Sequence, residues 1–137
     1  MFRTFDHTAD LGIEGEAESL ERLFAEMARG LFAVLLADLD AVRLVDRETI
    51  ELPGDPQPEL LLLDWLDELL YRFEVHRRVY AAFEVHLDDS GLRGIARGEP
   101  LDPRRHSLQH EVKAITYHEL RVWEEGGRWR ARVIVDI

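Results

Sequence analysis

The chain is predicted to fold as α+β, a largely antiparallel sheet built around two main helices. Three observations predict it. Two segments repeat apolar residues at helical spacing, most other ordered stretches alternate with period two, and Asp88-Asp89-Ser90-Gly91 and Glu125-Gly126-Gly127 are turn signals that fold successive strands into hairpins. With 137 residues, 46% of them apolar, the chain has enough material for a buried core, and residues 1–137 are read as one domain.

Phe2 to His7 and Leu11 to Gly15 alternate and flank His7-Thr8-Ala9-Asp10, which reads as two strands joined by a tight polar turn. Ser19 is a helix N-cap, and Leu20, Leu23, Phe24, Met27, Leu31, Val34 and Leu35 carry an amphipathic helix to about Ala37. Gly30 inside that helix costs roughly 1 kcal/mol against alanine, which marks a close packing contact. From Val42 to Leu52 the period falls to two, with Val42, Leu44, Ile50 and Leu52 on one side of a strand. Pro53-Gly54-Asp55-Pro56-Gln57-Pro58 is a connector loop. A second helix follows from Leu60 to Val75; Leu62, Leu63, Leu66, Leu69, Leu70 and Phe73 make it apolar around much of its circumference, so it is expected to be the central one. Its acidic residues Asp64, Asp67 and Glu68 read as a solvated face. Tyr80 to Leu87 and Leu92 to Arg97 form one hairpin. Ala114 to Glu124 and Trp129 to Asp136 form another, with Trp129, Ala131, Val133 and Val135 on its buried face and Trp123 paired with Trp129 in the core.

Composition narrows the chemistry. There is no cysteine, so disulfides, thiolate zinc sites and thiol nucleophiles are excluded, and a metal would have to use oxygen or imidazole. A formal charge of -11 is the wrong sign for gripping a phosphate backbone, so direct stable nucleic-acid binding is not expected, and an acidic surface suits a basic protein partner. The N-terminus lacks a signal-peptide profile and apolar runs such as Leu60 to Leu63 are far too short to span a bilayer; a cytoplasmic protein without a membrane partner is expected. Asparagine is absent and glutamine and methionine are scarce, a depletion of heat-labile residues that fits a thermophile. Lys113 is the single lysine among 17 basic residues. It marks either chance survival or a position where a compact ammonium serves and a planar guanidinium does not.

Two clusters could carry chemistry. Asp6-His7-Thr8-Ala9-Asp10 sets two carboxylates and an imidazole in a short turn, although aspartates in turns also serve as ordinary local hydrogen-bond acceptors. Val133-Ile134-Val135-Asp136-Ile137 sets a carboxylate side chain beside the terminal main-chain carboxylate, a concentration of charge that either faces water or is offset by a cation. If the two clusters met, they would form a hard anionic cup suited to calcium, magnesium or manganese. His106, His110 and His118 are too scattered for a helical metal pair. P-loop, G-x-G-x-x-G, C-x-x-C and H-E-x-x-H patterns are absent.

Taken together, His7-Thr8-Ala9-Asp10-Leu11-Gly12, Leu63-Asp64-Trp65-Leu66 with Leu69-Leu70, Gly98-Glu99-Pro100, Val112-Lys113-Ala114-Ile115-Thr116-Tyr117-His118 and the ending Val135-Asp136-Ile137 resemble the archease family, in the family's order and across the whole chain. The resemblance implies a small acidic accessory protein, not itself an enzyme, that assists the GTP-dependent RNA ligase of tRNA splicing by promoting its guanylylation and repeated turnover. It further implies one divalent cation, usually calcium, held by Asp10, Asp136 and a terminal oxygen of Ile137, and a functional role for Lys113, with His7 beside the cluster. The rival expectations are a metal-dependent hydrolase using the same carboxylates, and a chaperone or adaptor whose metal only stabilises the fold.

Overall fold

The computed structural model describes residues 1–7 and 10–137, with His7 described by its backbone alone. The chain runs β1 (Phe2–His7), β2 (Asp10–Ala17), α1 (Leu20–Leu35), a short 3-10 turn (Leu39–Ala41), β3 (Asp46–Pro53), α2 (Pro58–His76), β4 (Arg78–Asp88), β5 (Gly91–Pro100), β6 (Ala114–Ile115), β7 (Arg121–Glu125) and β8 (Arg128–Asp136). Strands β1-β2-β8-β6 form one sheet, with β7 also paired to β8, and β3-β5-β4 form a second. All the pairings are antiparallel. The helices lie between the sheets: α1 packs on β1 and β2 of the first and on β4 of the second, while α2 reaches β4, β6 and β7. One apolar core, from Leu11 and Val135 to Tyr80 and Leu92, joins the layers, leaving the outer face of each sheet free of covering helices. Among the described residues no helix is long and apolar enough to cross a membrane.

Local chemistry explains the helices. The Ser19 hydroxyl accepts from the Arg22 amide at 3.1 Å and opens α1. Gly30 is where α1 approaches the first sheet, because a Cβ there would stand 2.7 Å from Ile13 Cγ2. Proline at its first turn starts α2, and Arg77 in the left-handed region (φ 53°) ends it. Trp65 of α2 is fully buried. Its indole N–H donates to the Phe24 carbonyl at 3.0 Å, and its ring lies over Gly94 of β5, where a Cβ would come within 2.4 Å.

Three expectations are corrected. It is α1, not α2, that packs broadly on both sheets. Residues 42–45 precede β3 instead of belonging to it: Val42 is buried but Leu44 is 54% exposed, since the 3-10 turn and a bond from the Arg43 amide to Glu99 Oε2 (2.7 Å) hold this stretch off the ladder. Trp123 pairs with Arg130, and Trp129 with Glu124, so alternation sends the two indoles to opposite faces.

The passage from the second sheet back to the first is fastened by a buried charge. Glu99 at the end of β5 is 5% exposed and His106 2%. Glu99 accepts from the Arg43 amide, from Arg105 and from His106 Nε2 at 2.8 Å. The other ring nitrogen, Nδ1, accepts from the Asp102 amide at 2.9 Å. Burial pushes the Glu99 carboxyl up, but these donors outweigh it and hold it down at about 2. Beyond this anchor, residues 107–110 run along the end of α1: the Ala37 amide donates to the Ser107 carbonyl, and the Gln109 and His110 amides donate to the Leu35 and Val34 carbonyls. Two carbonyls that a helix end leaves without partners are thereby satisfied, and the chain is delivered to Lys113.

Two outcomes follow. Gly94→Ala should displace the Trp65 ring and lower unfolding free energy by roughly 1–3 kcal/mol in a denaturant titration. Glu99→Gln should cost about 2 kcal/mol at neutral pH, because buried donors lose a charged acceptor. The Glu99 carboxyl is depressed in the folded state, so the wild-type advantage should be full above its ordinary value of 4.5 and disappear as pH falls towards about 2; acid-unfolding curves of the two proteins should converge there.

Candidate functional site

Strand β8 lies between β2 on one side and β6 and β7 on the other. The β2–β8 ladder pairs Leu11 with Val135, Ile13 with Val133 and Gly15 with Ala131; one step further in the same register sets Asp10 opposite Asp136. Because Leu11, Ile13, Val133 and Val135 point into the core, alternation turns Asp10 and Asp136 to the outer face, along with Gly12 and Glu14 of β2 and Arg132 of β8. Neighbouring strands are about 5 Å apart, so the two carboxylates share one end of one sheet face. Both residues are half-buried. Among the described residues neither side chain pairs with a cationic group.

The third strand completes this end. Ala114 of β6 pairs with Asp136, and the Lys113 amide donates to the Asp136 carbonyl at 2.7 Å, fixing the lysine backbone to the strand that carries the aspartate. Lys113 itself is exposed. Thr116 stitches the same edge twice, its amide (3.0 Å) and hydroxyl (2.9 Å) both donating to the Ile134 carbonyl. The structure thus brings Asp10, Asp136, Ile137 and Lys113 together at one sheet end. The His7 backbone pairs with Asp10; the His7 side chain and the turn residues Thr8 and Ala9 lie outside the described residues.

Next to the carboxylates the outer face is closed by an aromatic ring. Phe5 lies flat across Gly12, where a Cβ would come within 2.0 Å of the ring, and the Arg132 guanidinium sits 4.3 Å from the ring centroid. Arg132 also pairs with Glu14 at 2.7 Å and Glu119 at 3.2 Å; Glu14 is shared with Arg3 at 2.8 Å, and Glu16 holds Arg130 at 2.9 Å. The arginines nearest the acidic end are thus taken up by glutamates of β2 and by Glu119, and among the described residues none of them pairs with Asp10 or Asp136. Sequence reading passed over Phe5 and Arg132. The alternation Arg128, Arg130, Arg132 opposite Glu14 and Glu16 is the signal that could have found the ion-pair lattice.

The donor set is of the hard-oxygen kind: two carboxylates from neighbouring strands, with the main-chain oxygen of Ile137 next along the chain. Among the described residues no group of three or more His, Asp or Glu side chains converges to hold a metal. A cation at this end would therefore take its remaining ligands from main chain and water, as calcium and magnesium readily do.

Comparison with known proteins identifies the family and the fold. The sequence profile of the Archease protein family (MTH1598/TM1083) matches residues 2–137. The chain is 43% identical to protein archease of Methanopyrus kandleri over 136 residues, 96% of each chain, and 37% identical to that of Pyrococcus abyssi, over 97% of this chain and 96% of the relative. The solution structure of Methanobacterium thermoautotrophicum protein 1598 superposes with a TM-score of 0.84 at 34% identity, over 99% of this chain and 98% of the other. A Thermotoga maritima archease crystal structure shares the fold at 20% identity, with a TM-score of 0.69 over 98% and 96%. The chain belongs to the archease family.

Proposed function

We propose that this protein is a non-catalytic activator of the GTP-dependent RNA ligase of tRNA splicing, acting through the end of the first sheet where Asp10, Asp136 and Lys113 meet. The observation that carries the reading is the β2–β8–β6 register, which sets two carboxylates without a cationic partner among the described residues on one sheet end, with the Lys113 backbone tied to Asp136. Asp10, Asp136 and the main-chain oxygen of Ile137 would hold one divalent cation, calcium by preference, with magnesium or manganese compatible. When bound, such a cation supplies a positive charge that can polarise a phosphate oxygen. Lys113 presents a flexible ammonium at the same end, suited to a phosphate or to a carboxylate of the ligase. The acidic tip of a protein carrying a net charge of -11 is complementary to a basic, metal-containing ligase site, which favours encounter and selects against wrong partners. Promotion of ligase guanylylation and repeated turnover would follow from that docking.

The Thermotoga maritima relative is described as a possible chaperone. A chaperone with a purely structural metal separates cleanly from the activator reading, because its metal ligands would affect stability and not ligation.

In a multiple-turnover ligation assay, the cognate ligase should form several products per enzyme with this protein present and stall without it. Asp10→Ala and Asp136→Ala should each abolish most of that stimulation and weaken calcium binding at least about ten-fold by calorimetry. Calcium at about 100 times its Kd should stabilise the wild type by roughly 2.7 kcal/mol and either variant by much less. Wild-type stimulation by both variants would rule the reading out. Lys113→Ala should keep calcium binding and stability but lose stimulation, and Lys113→Arg should not restore it fully.

A further inference from the structure

The second sheet carries a feature that the cation site does not use. Arg47 of β3 and Arg97 of β5 are direct cross-strand partners and both are exposed on the outer face. Like charges set directly opposite each other destabilise a strand pair, so the fold bears a cost here that it does not recover internally. Two more exposed arginines join them. Arg43 is brought in by the bond from its amide to Glu99, and Arg104 by the turn in which its amide donates to Asp102 Oδ1, next to Arg105 on Glu99.

Three carboxylates near these arginines, Glu99, Asp46 and Asp102, are already engaged by other groups. Glu99 is held by Arg105, His106 and the Arg43 amide. Asp46 is paired with Arg78 at 2.8 Å, and Asp102 faces Arg105 at 3.6 Å. Among the described residues none of the side chains of Arg43, Arg47, Arg97 and Arg104 has a carboxylate partner. The contrast with the first sheet is direct, since Arg128, Arg130 and Arg132 there are each paired with a glutamate. Between Arg43 and Arg47, Leu44 and Val45 stand 54% and 70% exposed.

We infer that this arginine island around Leu44 and Val45 is a docking surface for a protein partner that presents acidic and apolar side chains in one segment. Charge complementarity identifies the acidic component, and the paired exposed aliphatics identify the apolar one. Arginine is enriched at protein interfaces, and the exposed aliphatic side chains beside it supply apolar area that a partner can bury. RNA is the poorer fit, because the outer-face residues of β3 and β5 (Arg47, Thr49, Glu51, Arg93, Ile95, Arg97) include no aromatic side chain on which a base could stack, and the whole chain is strongly acidic. The surface is independent of Asp10 and Asp136, so it adds a second contact to the proposed activity without resting on it.

The test uses the full chain and three probes: a short fluorescent peptide alternating glutamate and leucine, a fluorescent single-stranded RNA, and the protein's own sedimentation behaviour. The peptide should bind wild type, weaken as salt is raised, and lose affinity about ten-fold or more with Arg47→Glu/Arg97→Glu. Leu44→Ser/Val45→Ser should weaken it as well, and both variants should keep the wild-type circular-dichroism spectrum and a cooperative thermal transition, which shows that they are folded. No peptide binding overturns the inference. So does tighter binding of the RNA with the same sensitivity to charge reversal, or a concentration-dependent dimer that the charge reversal dissolves.

Discussion

Strand β8 sets the geometry of the candidate site, because it pairs with β2 along one edge and with both β6 and β7 along the other. Its apolar residues Val133 and Val135 are fully buried opposite Ile13 and Leu11. A slip of one residue would turn all of them towards solvent, so the register is held by the core itself. Once it is held, the position of Asp10 beside Asp136 needs no further stabilisation. The electrostatic cost of setting two carboxylates together is met by hydrophobic burial on the opposite face of the same strands. A half-exposed anionic pair can persist on that basis, and it stays available to a cation or a basic partner.

The rest of the molecule serves this end in two ways. On the first sheet, glutamates of β2 engage Arg3, Arg128, Arg130 and Arg132 in a lattice beside the carboxylates, so the arginines do not reach over to neutralise Asp10 and Asp136. Exposed ion pairs of this kind add little stability individually, and their effect here is on where charge is left uncompensated. On the second sheet, the Glu99–His106–Arg105 cluster fastens the start of the crossing segment, and the carbonyls at the end of α1 guide it on to Lys113. The lysine backbone is therefore fixed from both sides while its side chain remains in solvent.

Much of this was legible in the sequence. Ser19, the periodicity of Leu23 to Leu35 and the Gly126-Gly127 turn each act over a few residues, and the α+β architecture follows from such local signals. The archease landmarks pointed to Asp10, Asp136 and Lys113. Their meeting depends on the pairing of Leu11 with Val135, more than a hundred positions apart, which no local pattern encodes. The same limit explains the errors. Leu44 satisfied a period of two, yet a hydrogen bond to distant Glu99 removed its segment from the ladder. Trp123 and Trp129 sit on facing strands, yet the register of the turn sends them to opposite faces. Glu99 and His106 are polar residues with no periodic signature, so their burial could be learned only from tertiary contacts.

The proposed activity depends on a cation seated between the neighbouring strands β2 and β8, and locating that ion tests it most directly. A crystal grown with manganese and measured for anomalous scattering should place one strong peak between the Asp10 and Asp136 carboxylates, within bonding distance of both and close to Ile137. A peak bound only elsewhere on the protein, with those two carboxylates turned apart into solvent, would contradict it.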